Sequence, residues 1–288
     1  MPSAPRQSVT SAYSDAAQTE RSRSDASSTD QAEISRSETS DAEPSDFGQP
    51  RLHKTRDALT LQFAGFPAVQ SSMSLLNPNS LDLEYTRLMI GFLLFNNAPA
   101  HIVMIGLGGG SLPEFCHRYL PEATIEVIEI DPQVIALRDA FQVPADDARF
   151  MVIEADGRNY VNAIANAVDV LLVDAYDGYG MPLDLCELEF FQDCDAALSN
   201  DGMLVVNLHL ESESYPICLA HLRETFGAGL FEVVDDDMTN SIVFACKDDR
   251  FEQTDLRAAM RKPAHIAKDA WPQLLPTFQV IEATQTLR

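Results

Sequence analysis

From residue 101 onward, apolar and polar positions alternate between two patterns. Strand-like, largely apolar runs at residues 101–106, 124–130, 149–154, 168–174 and 202–208 have the length and flanking turn formers of strands buried on both faces. Between them, apolar residues recur every three or four positions over residues 111–119, 132–141, 157–164 and 185–198, which predicts helices. Strand and helix in strict rotation require crossover connections, hence a mainly parallel sheet covered on both faces. Two last runs, residues 230–234 and 241–245, are separated only by the polar stretch 235–240, too short for a crossover helix. They are expected to pair as an antiparallel hairpin.

Ahead of this alternation, residues 59–63 and 68–72, joined through Gly65-Phe66-Pro67, predict a small β-hairpin, a candidate lid or dimer element. Residues 83–94 place Leu83, Leu88, Ile90, Leu93 and Leu94 at spacings that suit one buried helix. After residue 251 a helix or two are expected, broken up by Pro263, Pro272 and Pro276. The first fifty residues are rich in Ser, Thr, Asp and Glu with almost no large apolar groups, and read as a disordered tail. The organisation expected is therefore a tail over 1–50, a hairpin and helix over 51–98, an α/β domain over 99–250 and a helical extension over 251–288.

The candidate chemistry lies at the strand ends. The first run leads into Gly106-Leu107-Gly108-Gly109-Gly110, the second closes on Glu129-Ile130-Asp131, Asp156-Gly157 follows the third, and Asp174 closes the fourth. A parallel sheet sets the carboxyl ends of its strands along one edge, so these acids should converge beside the glycine turn. There, backbone N–H groups can approach a ligand and a carboxylate can accept ribose hydroxyls, the arrangement of a nucleoside site. Each acid also has a plainer reading. Asp131 before Pro132, and Asp156 before Gly157, suit helix N-caps, and Asp177 suits ordinary turn chemistry. Asp131 is read as a cap and Glu129 as the ligand contact, while for Asp156 both readings stay open. Asp174 has the poorest plain reading, because an acid closing Val-Leu-Leu-Val needs a partner to offset its desolvation. Tyr176 and Tyr179 are slot-lining aromatics or loop packing, and His209 is read as a satisfied polar residue.

Five parallel strands ending in an antiparallel hairpin resemble the seven-stranded, Rossmann-like fold of S-adenosylmethionine-dependent methyltransferases. Within that frame the order glycine loop, Glu-Ile-Asp, Asp-Gly and Asp174-x-x-Asp177…Gly180-x-Pro182 resembles the polyamine aminopropyltransferase family, the spermidine synthases among them, over about residues 59–246. The resemblance implies an aminopropyl transfer from decarboxylated S-adenosylmethionine to an amine such as putrescine, with no permanently bound cofactor, no metal and a homodimer. It implies that Gly106, Gly108, Gly109, Gly110, Glu129, Asp156 and Gly157 hold the donor, with Glu129 on the ribose and Asp156-Gly157 at the adenine. Asp174 is then the catalytic acid/base, and Gln70, Tyr85, Asp177 and Tyr179 bind the substrate amine. The chemistry is consistent: an amine with a pKa near 10.4 is protonated at neutral pH and must give its proton to a nearby carboxylate before it can attack. The chain departs from the family pattern at Gly108, where the family carries an aspartate, at Thr86-Arg87, where it carries His/Gln-Glu, at Pro67 and at Gly178. Losing an acid and gaining Arg87 points to a pocket less suited to a dication and open to a carboxylate. Two alternatives follow: a methyltransferase using intact S-adenosylmethionine, and a non-catalytic nucleoside or polyamine binder.

Composition adds bounds. A net charge of −24 argues against phosphate backbones and nucleic-acid partners, and favours cations. No stretch reaches the roughly 18 apolar residues of a membrane span, residues 88–95 being too short. The N-terminal segment lacks a signal-peptide pattern, and the chain is expected in the cytoplasm. Five cysteines without a Cys-x-x-Cys pair are expected as buried thiols rather than a disulfide or zinc site.

Overall fold

The structure, a computed structural model, describes residues 48–66, 68–177, 180–261, 266 and 268–286. The expected N-terminal tail, but for its last three residues, lies outside the described residues, as do Pro67, Tyr179 and Pro263.

Strands β1 (Pro50–Lys54), β2 (Ala58–Phe63) and β3 (Val69–Ser74) form a small antiparallel sheet in that order. Strand β2 alternates as a half-buried strand should, with Leu59, Leu61 and Phe63 inward. The expected hairpin is present as β2 and β3, and β1 extends it to three strands. Residues 51–54 of β1 are exposed, so that edge carries no alternation to betray it. Helix α1 (Glu84–Met89) passes directly into a 3₁₀ turn, Ile90–Leu94, instead of continuing as one α-helix. At Gly91 a Cβ would come within 2.4 Å of Ile281 Cδ1 and 3.1 Å of Phe244 Cζ, so a larger residue would displace the C-terminal helix's side chain from this contact.

The main sheet has the order β6-β5-β4-β7-β8-β10-β9. Strands β4 (His101–Ile105), β5 (Thr124–Glu129), β6 (Phe150–Glu154), β7 (Val168–Val173) and β8 (Leu198–His209) run parallel. Strands β9 (Leu230–Val234) and β10 (Asn240–Cys246) close the sheet as the expected antiparallel hairpin, with β10 against β8. Apolar side chains fill both faces. In β7 five of six residues are buried, and each buried aliphatic side chain contributes roughly 1.5–3 kcal/mol. Helices α2 (Ser111–Tyr119), α4 (Gly157–Asn162) and α5 (Leu188–Ala197) cover the sheet where expected. The predicted helix over 132–141 shortens to α3 (Pro132–Ile135) followed by turns. A separate 3₁₀ turn, Leu183–Cys186, takes up the start of the predicted helix over 185–198.

Helix α6 (Tyr215–Phe226) was not anticipated, although Cys218, Leu219, Leu222 and Phe226 bury one helical face. Beyond α7 (Arg250–Gln253) and α8 (Leu256–Ala259), helix α9 (Trp271–Thr286) runs through Pro272 and Pro276 rather than breaking there. Pro272 sits in the first turn, where its missing N–H has no intrahelical acceptor to lose.

The cysteine expectation is overturned at one pair. Cys186 and Cys218 form a disulfide, while Cys116, Cys194 and Cys246 are buried thiols. Thirty-two positions separate the pair in sequence, yet the 3₁₀ turn and α6 pack on the same sheet face and bring the Cα atoms to 4.9 Å, inside the bridging range. Among the described residues no helix is long and apolar enough to cross a membrane, and no cluster of His, Cys, Asp and Glu suits a metal ion.

Candidate active site

A cavity of about 620 Å³ opens at the carboxyl ends of β4, β5, β7 and β8, roofed in part by the small sheet. The turn leaving β4 is built around Gly106, at φ +96°, where a Cβ would stand 2.2 Å from the Asp174 carbonyl oxygen. The glycine therefore lets β4 and β7 deliver their ends side by side. Gly108 also borders the cavity. Gly109 and Gly110 serve packing: the Gly109 N–H donates to Ser71 Oγ at 2.8 Å, tying the turn to β3, and a Cβ on Gly110 would meet Val143 at 2.2 Å.

Glu129, buried at the tip of β5, accepts the Leu107 N–H through Oε2 and the Asp131 N–H through Oε1, each at 2.9 Å. Burial raises its pKa, and these bonds oppose the rise. Asp131 is the N-cap of α3, accepting from Gln133 N–H at 2.8 Å. Its second oxygen, Oδ2, is buried at the cavity wall with no protein partner. Asp156 caps α4 through the amides of Arg158 and Asn159 and borders the same cavity, so its two sequence readings coexist. Gly157 is required beside it, since a Cβ would fall 2.4 Å from Ile105 Cγ2.

Asp174 follows β7 at the cavity floor, its N–H bonded to the Ile105 carbonyl at 2.9 Å. The partner its burial demands is double: Asn207 Nδ2 donates to Oδ1 at 3.0 Å, and the Tyr85 hydroxyl donates as well. Desolvation is the larger influence and holds the Asp174 pKa above its ordinary value, while both donors favour the charged form. Burial, then the Asp174 charge, pushes the Tyr85 phenol well above 10. Asn207 is itself fixed. Asn240 Nδ2 donates to its Oδ1 at 2.9 Å, so the NH₂ end must face Asp174. Asn240 is held in turn by its N–H to Asp235 at 3.0 Å. The Tyr176 hydroxyl donates to the Asn207 carbonyl at 2.7 Å, and its ring stacks on His209. Asn207 and Asn240 were absent from the expected site, whereas Tyr176 was read as a slot aromatic or loop packing and His209 as a satisfied polar residue. The signal for Asn207 was available: a polar residue inside the apolar strand Leu204-Val-Val-Asn207-Leu needs a partner.

Gln70 on β3, Tyr85 on α1 and Asp177 all border the cavity. Asp177 closes a turn on Gly180, donating its N–H to the Gly180 carbonyl and accepting the Gly180 N–H through Oδ1, both at 3.0 Å. Arg87, expected to add a cation to the pocket, turns away: its Nη1 donates to the carbonyls of Leu81 at 2.5 Å and Asp82 at 3.1 Å. Seven acidic residues, from Glu129 to Glu211, border the cavity, and no lysine or arginine is among its described lining residues. Burial lowers the His209 pKa against the pull of Asp235, which favours its neutral form. A lining of this composition favours cations over anions.

Comparison with known proteins agrees with this geometry. The family described as "Spermine/spermidine synthase domain" matches residues 83–226. A polyamine aminopropyltransferase of Neisseria meningitidis serogroup A is 40% identical over 191 residues, covering 66% of this chain and 73% of that protein. Among solved structures, a spermidine synthase in complex with the transition-state analogue AdoDATO shares the fold, with TM-score 0.61 and 17% identity over 83% of this chain and 88% of the other. Human Methyltransferase-like protein 13, in complex with SAH, aligns with TM-score 0.53 and 26% identity over 71% of this chain and 93% of the other. By its match to the family over residues 83–226 and its 40% identity to a polyamine aminopropyltransferase, on a seven-stranded sheet with an acid-lined cavity, the chain belongs to the spermine/spermidine synthase family of polyamine aminopropyltransferases.

Proposed function

We propose that the protein transfers the aminopropyl group of decarboxylated S-adenosylmethionine to a linear amine such as putrescine. The observation that carries this reading is the charge of the cavity: carboxylates along its length and no lysine or arginine among its described lining residues. A sulfonium donor without a carboxylate, and an acceptor with a second ammonium, both suit such a surface. The carboxylate of intact S-adenosylmethionine would find no cationic side chain there.

The roles follow from position. Glu129 and the second Asp131 oxygen accept the ribose hydroxyls, and Asp156 with Gly157 holds the adenine. Gln70, Tyr85 and Asp177, with Tyr179 outside the described residues, bind the amine. Asp174 accepts a proton from the attacking ammonium and aims the freed lone pair at the carbon next to sulfur. The new C–N bond forms as the C–S bond breaks, its electron pair stays on sulfur, and neutral methylthioadenosine leaves. Hydrogen bonds from Asn207 and Tyr85 favour the ionised form of Asp174 against the effect of its burial. A homodimer in the cytoplasm belongs to the same reading and rests on the family resemblance.

Mass spectrometry of reactions with putrescine tests the reading. Methylthioadenosine and a triamine formed from the decarboxylated donor support it. The likeness to Methyltransferase-like protein 13 favours a second reading, methyl transfer, which would instead yield S-adenosylhomocysteine from the intact donor. Release of neither product, with retained nucleoside binding, would indicate a binder.

A further inference from the structure

The Cys186–Cys218 disulfide joins the two chain segments that leave the ligand edge of the sheet after β7 and after β8. The first runs from Asp174 to Cys186 and contributes Asp177, Pro182, Asp184 and Leu185 to the cavity lining. The second runs from the end of β8 to Cys218 on α6. The bridge closes a covalent ring over residues 186–218 that contains β8, and the ring closes at the cavity rim, where Leu185 precedes Cys186. Besides the bridge, the turn carries short-range ties. The Leu185 N–H donates to the Pro182 carbonyl at 3.0 Å, and His221 Nδ1 lies 2.8 Å from the Cys186 carbonyl. Leu183, at the head of the turn, is 74% exposed. A four-residue 3₁₀ turn has poor hydrogen-bond geometry and is the kind of element that opens locally. Such opening brings the buried bridge within reach of an external thiol.

We propose that Cys186 and Cys218 form a reversible dithiol–disulfide switch on the cavity: oxidised, the pair fixes the rim from Asp177 to Leu185 and the site holds its ligand; reduced, the rim loosens and affinity falls. Reduction uses an external dithiol. Its thiolate attacks one sulfur, the S–S electron pair leaves on the other as a thiolate, and the reagent's second thiol resolves the mixed disulfide. Two protein thiols and an oxidised reagent result. In the cytoplasm, where the aminopropyl-transfer reading places the protein, disulfides are rare and those that form are usually transient or redox-sensing. Cys116, Cys194 and Cys246 are thiols in the same chain, so the bridge is specific to this pair. By linkage, a ligand that prefers the oxidised form stabilises the bridge by the factor by which the bridge tightens the ligand. The switch rests on the transfer reading for its compartment and for the choice of probe.

The test uses the full chain, oxidised or reduced with dithiothreitol, and methylthioadenosine as the probe. Reduction should weaken methylthioadenosine binding by roughly fivefold or more in calorimetry, and should speed amide hydrogen exchange over residues 181–186. In glutathione buffers, saturating methylthioadenosine should move the midpoint for alkylation of Cys186 and Cys218 toward more reducing ratios by the same factor. The double variant Cys186→Ala, Cys218→Ala should bind like reduced wild type and ignore the reductant. Equal measurable affinity in the two redox states, or exchange over residues 181–186 unmoved by reduction, would overturn the proposal, and both readouts need only wild type. A double variant whose affinity still responds to dithiothreitol would overturn it too. If methylthioadenosine binds neither form, the transfer reading fails instead, and the exchange measurement alone decides the switch.

Discussion

Asn207 donates a hydrogen bond from its side-chain amide to Asp174 Oδ1 across 3.0 Å, with its own orientation set by Asn240. A bond to a charged acceptor favours the ionised form, so removing it raises the Asp174 pKa further. In Asn207→Ala, turnover at neutral pH should fall on the order of tenfold, with activity recovering as pH rises. The acid limb of the pH–kcat profile should move upward, and Asn240→Ala should move it the same way by less. A profile that falls uniformly without shifting would count against this coupling.

Asp174→Asn removes the proton acceptor and keeps the size of the side chain. Turnover should fall by roughly 10²–10⁴, while calorimetry should find donor binding within a few-fold of wild type. The raised Asp174 pKa means that its charge is not favoured by the fold. The variant should therefore melt no lower than wild type.

At the opposite end of the sheet, His101 Nε2 lies 2.7 Å from Glu126 Oε2 and His101 Nδ1 lies 3.1 Å from the Ala167 carbonyl. Burial lowers the His101 pKa, but the bond and charge of Glu126 outweigh it, and the net shift is upward from 6.5. Burial raises that of Glu126, and His101 outweighs it, for a net shift downward from 4.5. The histidine contribution is complete below the unfolded value of 6.5 and is lost as pH rises through its raised folded value. The glutamate contribution is complete above 4.5 and is lost as pH falls through its lowered folded value. The melting-temperature difference between wild type and Glu126→Gln should therefore peak between about pH 4.5 and 6.5 and shrink towards pH 9. A flat difference would contradict the assignment.

The Cys186–Cys218 disulfide ties the 3₁₀ turn, whose Leu185 borders the cavity, to α6. A closed loop of 32 residues corresponds to about 3–4 kcal/mol in the chain-entropy account. Cys218→Ser should lower the melting temperature, and dithiothreitol should do the same to wild type while leaving the variant unmoved. Equal sensitivity of both proteins to the reductant would show that this bridge is not the cause.

The features legible in the sequence were those enforced locally. Alternating apolar runs marked the strands and helices along the chain, Asp131 and Asp156 announced helix starts, and Asp174 stood out because an acid at the end of Val-Leu-Leu-Val needs a partner. Features set by tertiary contact were not legible. Strand β1 is an exposed edge held by backbone bonds to β2. The two bridged cysteines meet only once α6 has docked. Arg87 leaves the pocket for loop carbonyls that no motif encodes, and side chains at Gly109 and Gly110 would collide with Ser71, Phe141 and Val143. Asn207 stands out as a polar residue in an apolar strand, but the partners that orient it, Asp174 and Asn240, meet it only in the folded sheet.

The central claim is that this cavity is built for a cationic adenosyl donor without a carboxylate. Isothermal titration calorimetry with decarboxylated and with intact S-adenosylmethionine tests it most directly. The account predicts at least about tenfold tighter binding of the decarboxylated form, the difference of one uncompensated charge in a low-dielectric site. Equal or tighter binding of intact S-adenosylmethionine would contradict it.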